Sequence, residues 1–194
     1  MKNKRIYQVA EFMARVLTNG SKNLVTRETG KVMREALEGR IQSEPQGTVV
    51  VLDFSNVGII DFSCAEEVIA KMMARLIQRE YGDKYILLTS LTPNQEENIH
   101  AALQTKRLLA LSLKGAKKPK YLGVLNPYLM DTLQLILERK SITARELADL
   151  TQVEINTAST KLLNLHKARL VLRERMSLAE GGGRQYVYKS LLEI

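Results

Sequence analysis

Cys64 follows Ser63 directly and lies three residues after Asp61, where a loop gives way to a helical pattern. A thiol in the first turn of a helix is the kind that ionises easily, because the unpaired N–H groups there stabilise a thiolate. Nucleophilic catalysis also needs a base. The chain has only two histidines, His100 and His166, and neither has a sequence reason to meet Cys64. One cysteine and two separated histidines provide no metal-ligand spacing. The glycine run Gly181-Gly182-Gly183 has neither the lysine nor the strand-to-helix setting of a phosphate loop. These absences predict a chain that is not an enzyme and has no cofactor and no metal, with Cys64 packed as a small hydrophobe.

Charge points to a different role. The 194 residues carry a formal charge of +8, which suits a polyanionic partner. Before residue 125 there are 19 basic and 13 acidic residues, and from there on 10 and 8, so most of the surplus lies in the first part. Lys114, Lys117, Lys118 and Lys120 crowd one stretch, either as a solvated turn or as added phosphate contacts. A lone cysteine fits a reducing compartment. The basic start is broken by Glu11 and Arg15 before a signal-type apolar run forms, and no stretch nears the ~20 apolar residues a bilayer requires. The expectation is a cytoplasmic protein without a membrane partner.

The elements that would position these residues follow from periodicity. Ile6, Val9, Met13 and Val16 suit a helix, although Ile6 to Val9 could equally open a sheet. Thr26 precedes a second helical stripe of Val32, Met33, Leu37 and Ile41. The β-branched run Val49 to Phe54 predicts a strand buried on both faces, and Tyr85 to Leu88 a second one. Between them, Ser63-Cys64-Ala65-Glu66 has the form of a capping box and opens a helix with stripe Ala65, Val68, Ile69, Met72 and Leu76. Thr92-Pro93-Asn94-Gln95 starts another helix. Strand, helix, strand, helix indicates an α/β layer. Leu108 to Val124 then reads as a strand or hairpin with a linker, which places domain boundaries at 1–124 and 125–194.

The passage Val50-Val51-Leu52-Asp53-Phe54-Ser55-Asn56-Val57-Gly58-Ile59-Ile60-Asp61-Phe62-Ser63 resembles the central strand, loop and helix start of STAS domains, the fold of the anti-sigma-factor antagonists. Leu24-Val25-Thr26-Arg27, Gly30 and Glu67 fit a divergent STAS-like family, and the likeness spans about residues 20 to 110. It implies a mixed sheet with helices and a partner-binding face at Asp61, Ser63, Glu66 and Glu67. It also implies a histidine-kinase-like ATPase or another regulatory protein as partner. Ser63 falls on the family's phosphorylated serine, while Phe62 and Cys64 depart from its Asp-Ser-Ser-Gly pattern. Two readings of Ser63 stay open, a helix cap and a phosphorylation site.

Asn126-Pro127 opens the second domain. Thr143-Ala144-Arg145-Glu146 caps a short helix, a turn follows at Thr151 to Val153, and a helix runs from Glu154 to Lys167 with Ala158, Leu162, Leu165 and Ala168 inward. Leu170 to Arg173 and Tyr186 to Tyr188 read as strands flanking the glycine tip. This segment resembles the winged-helix domains of bacterial transcription regulators, including their Ala-Gly-Leu-Val-x-Arg turn, here Ala168-Arg169-Leu170-Val171-Leu172-Arg173. The resemblance implies a small α+β domain that binds double-stranded DNA. Asn156, Thr157, Thr160, Lys161 and Asn164 would face the major groove, Lys167, Arg173 and Arg175 would lie near phosphates, and Arg184 would sit at the wing tip. The alternative is a partner-switching adaptor whose second domain binds protein or forms a homodimer.

Overall fold

A computed structural model describes residues 3–17, 20–113, 119–177 and 184–192. The chain divides into two compact units, Met1–Leu125 and Asn126–Ile194.

The first unit is an α/β layer. Strand β1 (Lys4–Gln8) runs directly into helix α1 (Val9–Val16), so the ambiguous opening contains both elements in succession. Helix α2 (Arg27–Ser43) starts at Thr26, whose hydroxyl accepts from the Thr29 N–H. Strand β2 (Val49–Asp53) leads to α3 (Phe62–Ala65), a π-helical turn (Glu66–Ala70) and α4 (Lys71–Ile77). Strand β3 (Tyr85–Thr89), helix α5 (Pro93–Thr105) and the hairpin of β4 (Leu109–Leu113) and β5 (Lys120–Gly123) complete it. The sheet order is β1-β2-β3-β4-β5, parallel up to β4 and antiparallel for β5, which makes the sheet mixed.

Strands β2 and β3 bury Val49 to Leu52 and Tyr85 to Leu88 without a break, as their uninterrupted apolar runs require. Val50, Leu52, Ile86 and Leu88 join residues of the helices in one core with Met33, Leu37, Ile69 and Met72. The helix read as one stripe from Ser63 onward is widened by the π-helical turn. Four consecutive residues there, Glu67 to Ala70, are buried, because the turn packs against both α2 and α5 rather than on one side only. Gly30 of α2 lies against this turn: a Cβ there would fall 2.9 Å from the Glu67 Cβ and 3.3 Å from the Cys64 Cα.

The second unit begins with α6 (Pro127–Arg139), capped by the Asn126 side chain. Strand β6 (Ser141–Thr143) leads to α7 (Ala144–Thr151), which starts with the reciprocal Thr143 and Glu146 capping box. Gln152, left-handed at φ 53°, turns the chain into α8 (Ile155–Lys167). Strands β7 (Val171–Ser177) and β8 (Arg184–Ser190) follow, in an antiparallel sheet of order β6-β8-β7. Arg169 occupies the turn position where its resemblance led one to expect glycine. Its φ of 62° keeps the left-handed conformation that glycine favours, with the side chain almost fully buried. Among the described residues, no helix is long and apolar enough to cross a membrane.

Candidate functional site

In the first unit, the N-termini of α2 and α3 meet around one carboxylate. Asp61, not Ser63, caps α3: its Oδ1 accepts from the Cys64 N–H at 2.7 Å and from the Ser63 hydroxyl at 2.9 Å. The capping-box reading of Ser63 is therefore corrected, because the helix begins at Phe62 and the serine already lies inside its first turn. Asp61 Oδ2 reaches back to the Thr26 N–H at 3.4 Å. Burial opposes charge on Asp61, but the hydrogen bonds from Cys64, Ser63 and Thr26 outweigh it and hold the carboxyl below its ordinary range. Thr26 has φ 86° and ψ 146°, a region that β-branched residues rarely enter, and the cap and the Asp61 and Cys64 contacts hold it there.

Cys64 is sealed. Its thiol donates to the Thr26 carbonyl at 2.8 Å, and burial, reinforced by the Asp61 charge, pushes its pKa up to about 12. The helix terminus that could have produced a thiolate is overridden by desolvation. A disulfide reagent at neutral pH is expected to label Cys64 in the folded chain at least tenfold more slowly than in the denatured chain, as absorbance of the released thiolate would record. Labelling at equal rates would contradict this burial. His100 Nδ1 accepts from the Gly123 N–H at 3.0 Å, and His166 is buried in α8 of the other unit. Among the described residues no group of His, Cys, Asp and Glu is placed to hold a metal ion.

The two glutamates expected on the partner face separate. Glu66 is partly exposed and pairs with Arg27 at 2.7 Å and Lys106 at 3.2 Å. Glu67 is corrected: it turns inward at the π-helical turn and is only 2% exposed, bonded to Arg34 at 3.2 Å and to Lys71. Arg34 in turn binds Glu38 at 2.8 Å, and Glu38 also takes Arg75 and the Tyr81 hydroxyl. Val25, Ile59 and Phe62 are exposed on the segments that adjoin Asp61 and Ser63 in sequence or through the Leu24–Ile60 bridge, together with exposed Thr26 and Arg27. The sequence reading missed these residues because single exposed hydrophobes carry no periodic signal.

In the second unit, α8 buries Ala158, Leu162 and Leu165 as expected, with His166 buried beside them and Ala168 only partly so. Asn156, Thr160 and Lys167 are exposed, and Thr157, Lys161 and Asn164 are half-buried. The Lys161 ammonium sits 4.6 Å from the Tyr128 ring centre, which fixes it toward the start of α6. Thr160 donates its hydroxyl to the Asn156 carbonyl.

No protein-family model matches the chain, and no curated protein matches it. The hairpin must therefore be judged on its own geometry. Register pairs Arg173 with Tyr188, Arg175 with Tyr186 and Ser177 with Arg184, so alternation puts these residues on one strand face. The Arg173 guanidinium stacks 3.4 Å from the Tyr186 ring centre and 5.9 Å from that of Tyr188. One planar face is covered by tyrosine and the Nε is buried, while the residue as a whole is half-buried. Arg175, two residues on, is exposed. Arg184 opens β8, and its side chain lies outside the described residues, as do the glycine tip and Lys114, Lys117 and Lys118.

Proposed function

We propose that this protein is a transcription regulator whose second unit is a winged helix that binds double-stranded DNA and whose first unit is a STAS-like domain that binds a protein partner. The observation that carries the reading is the pairing of α8 with the β7–β8 hairpin. The helix keeps its apolar stripe inward and leaves Asn156, Thr160 and Lys167 in solvent, while the hairpin carries exposed Arg175 on a face stiffened by the Arg173 and Tyr186 stack. An exposed polar helix after a tight turn can enter a major groove, where amide and hydroxyl side chains read base edges and flanking cations take phosphates. The partner half of the reading is supported by the exposed hydrophobes Val25, Ile59 and Phe62 on the segments that lead into α2 and α3. A phosphate on Ser63 would add about −1.5 to −2 charge beside Asp61 and Glu66 and change what that surface accepts.

The experiment is a mobility-shift titration of the full chain against duplexes from its own upstream region at two salt concentrations. Binding with a log K that falls in proportion to log salt supports the reading. A second reading, a partner-switching adaptor in which the second unit binds protein, is favoured by exposed Leu150 and Ile155 beside the α7–α8 turn. No duplex binding at low salt, together with partner capture, would favour it.

A further inference from the structure

The outward face of α8 has a definite hydrogen-bonding character. At about 100° per residue, Asn156, Thr160 and Lys167 fall within about 40° of one another, on the side opposite buried Ala158, Leu162 and Leu165. Half-buried Leu163 lies on the same line, and half-buried Asn164 beside it adds a second amide. Asn156, in the first turn, keeps its side-chain amide without a partner among the described residues, free to donate and accept at once. The Thr160 hydroxyl donates its proton to the Asn156 carbonyl at 2.8 Å, which leaves a ligand its methyl and an accepting oxygen but no proton. Donor-only groups are kept off this stretch. The helix has no arginine, Lys161 is held over the Tyr128 ring, and Lys167 lies about 16 Å beyond Asn156 along the axis.

This inference rests on the DNA reading and names what α8 recognises within it. A guanine edge in the major groove offers two acceptors, N7 and O6, and calls for donor-only groups such as arginine or lysine. An adenine edge offers one acceptor, N7, and one donor, the N6 amino group, which together complement a side-chain amide. Its thymine partner adds a methyl group suited to apolar contact. We propose that α8 reads A·T pairs: the Asn156 amide bonds adenine N7 and N6, and the Thr160 methyl packs on a thymine methyl. The two contacts fall within two base pairs, because four residues rise about 6 Å along the helix against about 3.4 Å per pair along the duplex. Both residues stand in the N-terminal half of α8, the part of a recognition helix that meets base edges. Lys167, at the opposite end, is left to the phosphates.

The full chain is tested by selection from a pool of random-sequence duplexes at low salt, followed by titration of the best retained duplex. Retained sequences are expected to share an adenine with a thymine within two pairs of it. Replacing that adenine with 7-deazaadenine, which lacks the N7 acceptor, should weaken wild type at least ~5-fold. Asn156→Ala should bind the unmodified duplex roughly 10-fold more weakly than wild type and be indifferent to the same replacement. Deoxyuridine in place of the thymine removes one methyl and should weaken wild type about 4-fold, with no effect on Thr160→Ser. Both side chains are neutral and exposed, so each variant should fold and keep the wild-type salt slope. Retained duplexes that share guanine at the contacted position, a wild type indifferent to every 7-deazaadenine, or an Asn156→Ala variant that still responds to it would each overturn this inference while leaving DNA binding intact. A pool from which no duplex is retained would overturn the DNA reading itself, and this inference with it.

Discussion

Replacing Glu67 with alanine is expected to lower the unfolding free energy by about 3 kcal/mol, the low end of what removing one partner of a buried ion pair costs. Glu67 and Arg34 are both nearly inaccessible to water, and removing the carboxylate leaves the Arg34 guanidinium with Glu38 alone while Lys71 loses its partner. The cost is held down because Glu38 still neutralises Arg34. Urea denaturation of Glu67→Ala against wild type measures it, and a loss below about 1 kcal/mol would contradict the pairing. The same cluster sets a pH dependence. Burial raises the Glu67 pKa, but Lys71 and Arg34 outweigh it, so the folded value lies below the ordinary one; Glu66 is lowered by Arg27 and Lys106. Groups depressed on folding stabilise above the unfolded carboxylate range of about 4.3. Their contribution fades as pH falls through the folded values. Wild type is therefore expected to lose stability below about pH 4.5, and Glu67→Ala to show a shallower acid limb.

The second large effect concerns DNA. Reversing both exposed cations flanking α8 and the hairpin, Lys167→Glu with Arg175→Glu, is expected to weaken duplex binding at least ~100-fold and to reduce the salt slope by about 2, one unit for each phosphate contact removed. Both side chains are solvent-exposed, so the fold should be unaffected. Unchanged affinity in a folded double variant would remove these residues from any DNA interface. Arg173→Ala is a different case, because its guanidinium stacks on Tyr186 inside the hairpin and its loss should act through stability.

Much of the fold is legible in the residue pattern because local signals decide it. The continuous apolar runs at Val49 and Tyr85, the Thr92 and Thr143 caps and the Asn126-Pro127 start are each set by interactions within a few residues. What the sequence does not carry is set by distant neighbours. Asp61 displaces Ser63 as the cap because a loop presents its carboxylate to three donors at once, one of them on another helix. Glu67 goes inward because the π-helical turn shifts the helical phase where Gly30 allows α2 to approach, and no 3.6-residue count anticipates that shift. The stacking of Arg173 on tyrosine depends on hairpin register. Once β7 and β8 are paired, the two-residue spacing of Tyr186 and Tyr188 places both beside it.

The central claim is that the outward face of α8 meets DNA. It is tested most directly by placing a photo-reactive side chain at Thr160, on that face, and at Glu35, an exposed position of α2 in the other unit. Irradiation with a bound duplex should give efficient cross-links from position 160 and only background from position 35. Equal yields from the two positions, or none from 160 under conditions where the duplex is bound, would contradict the account.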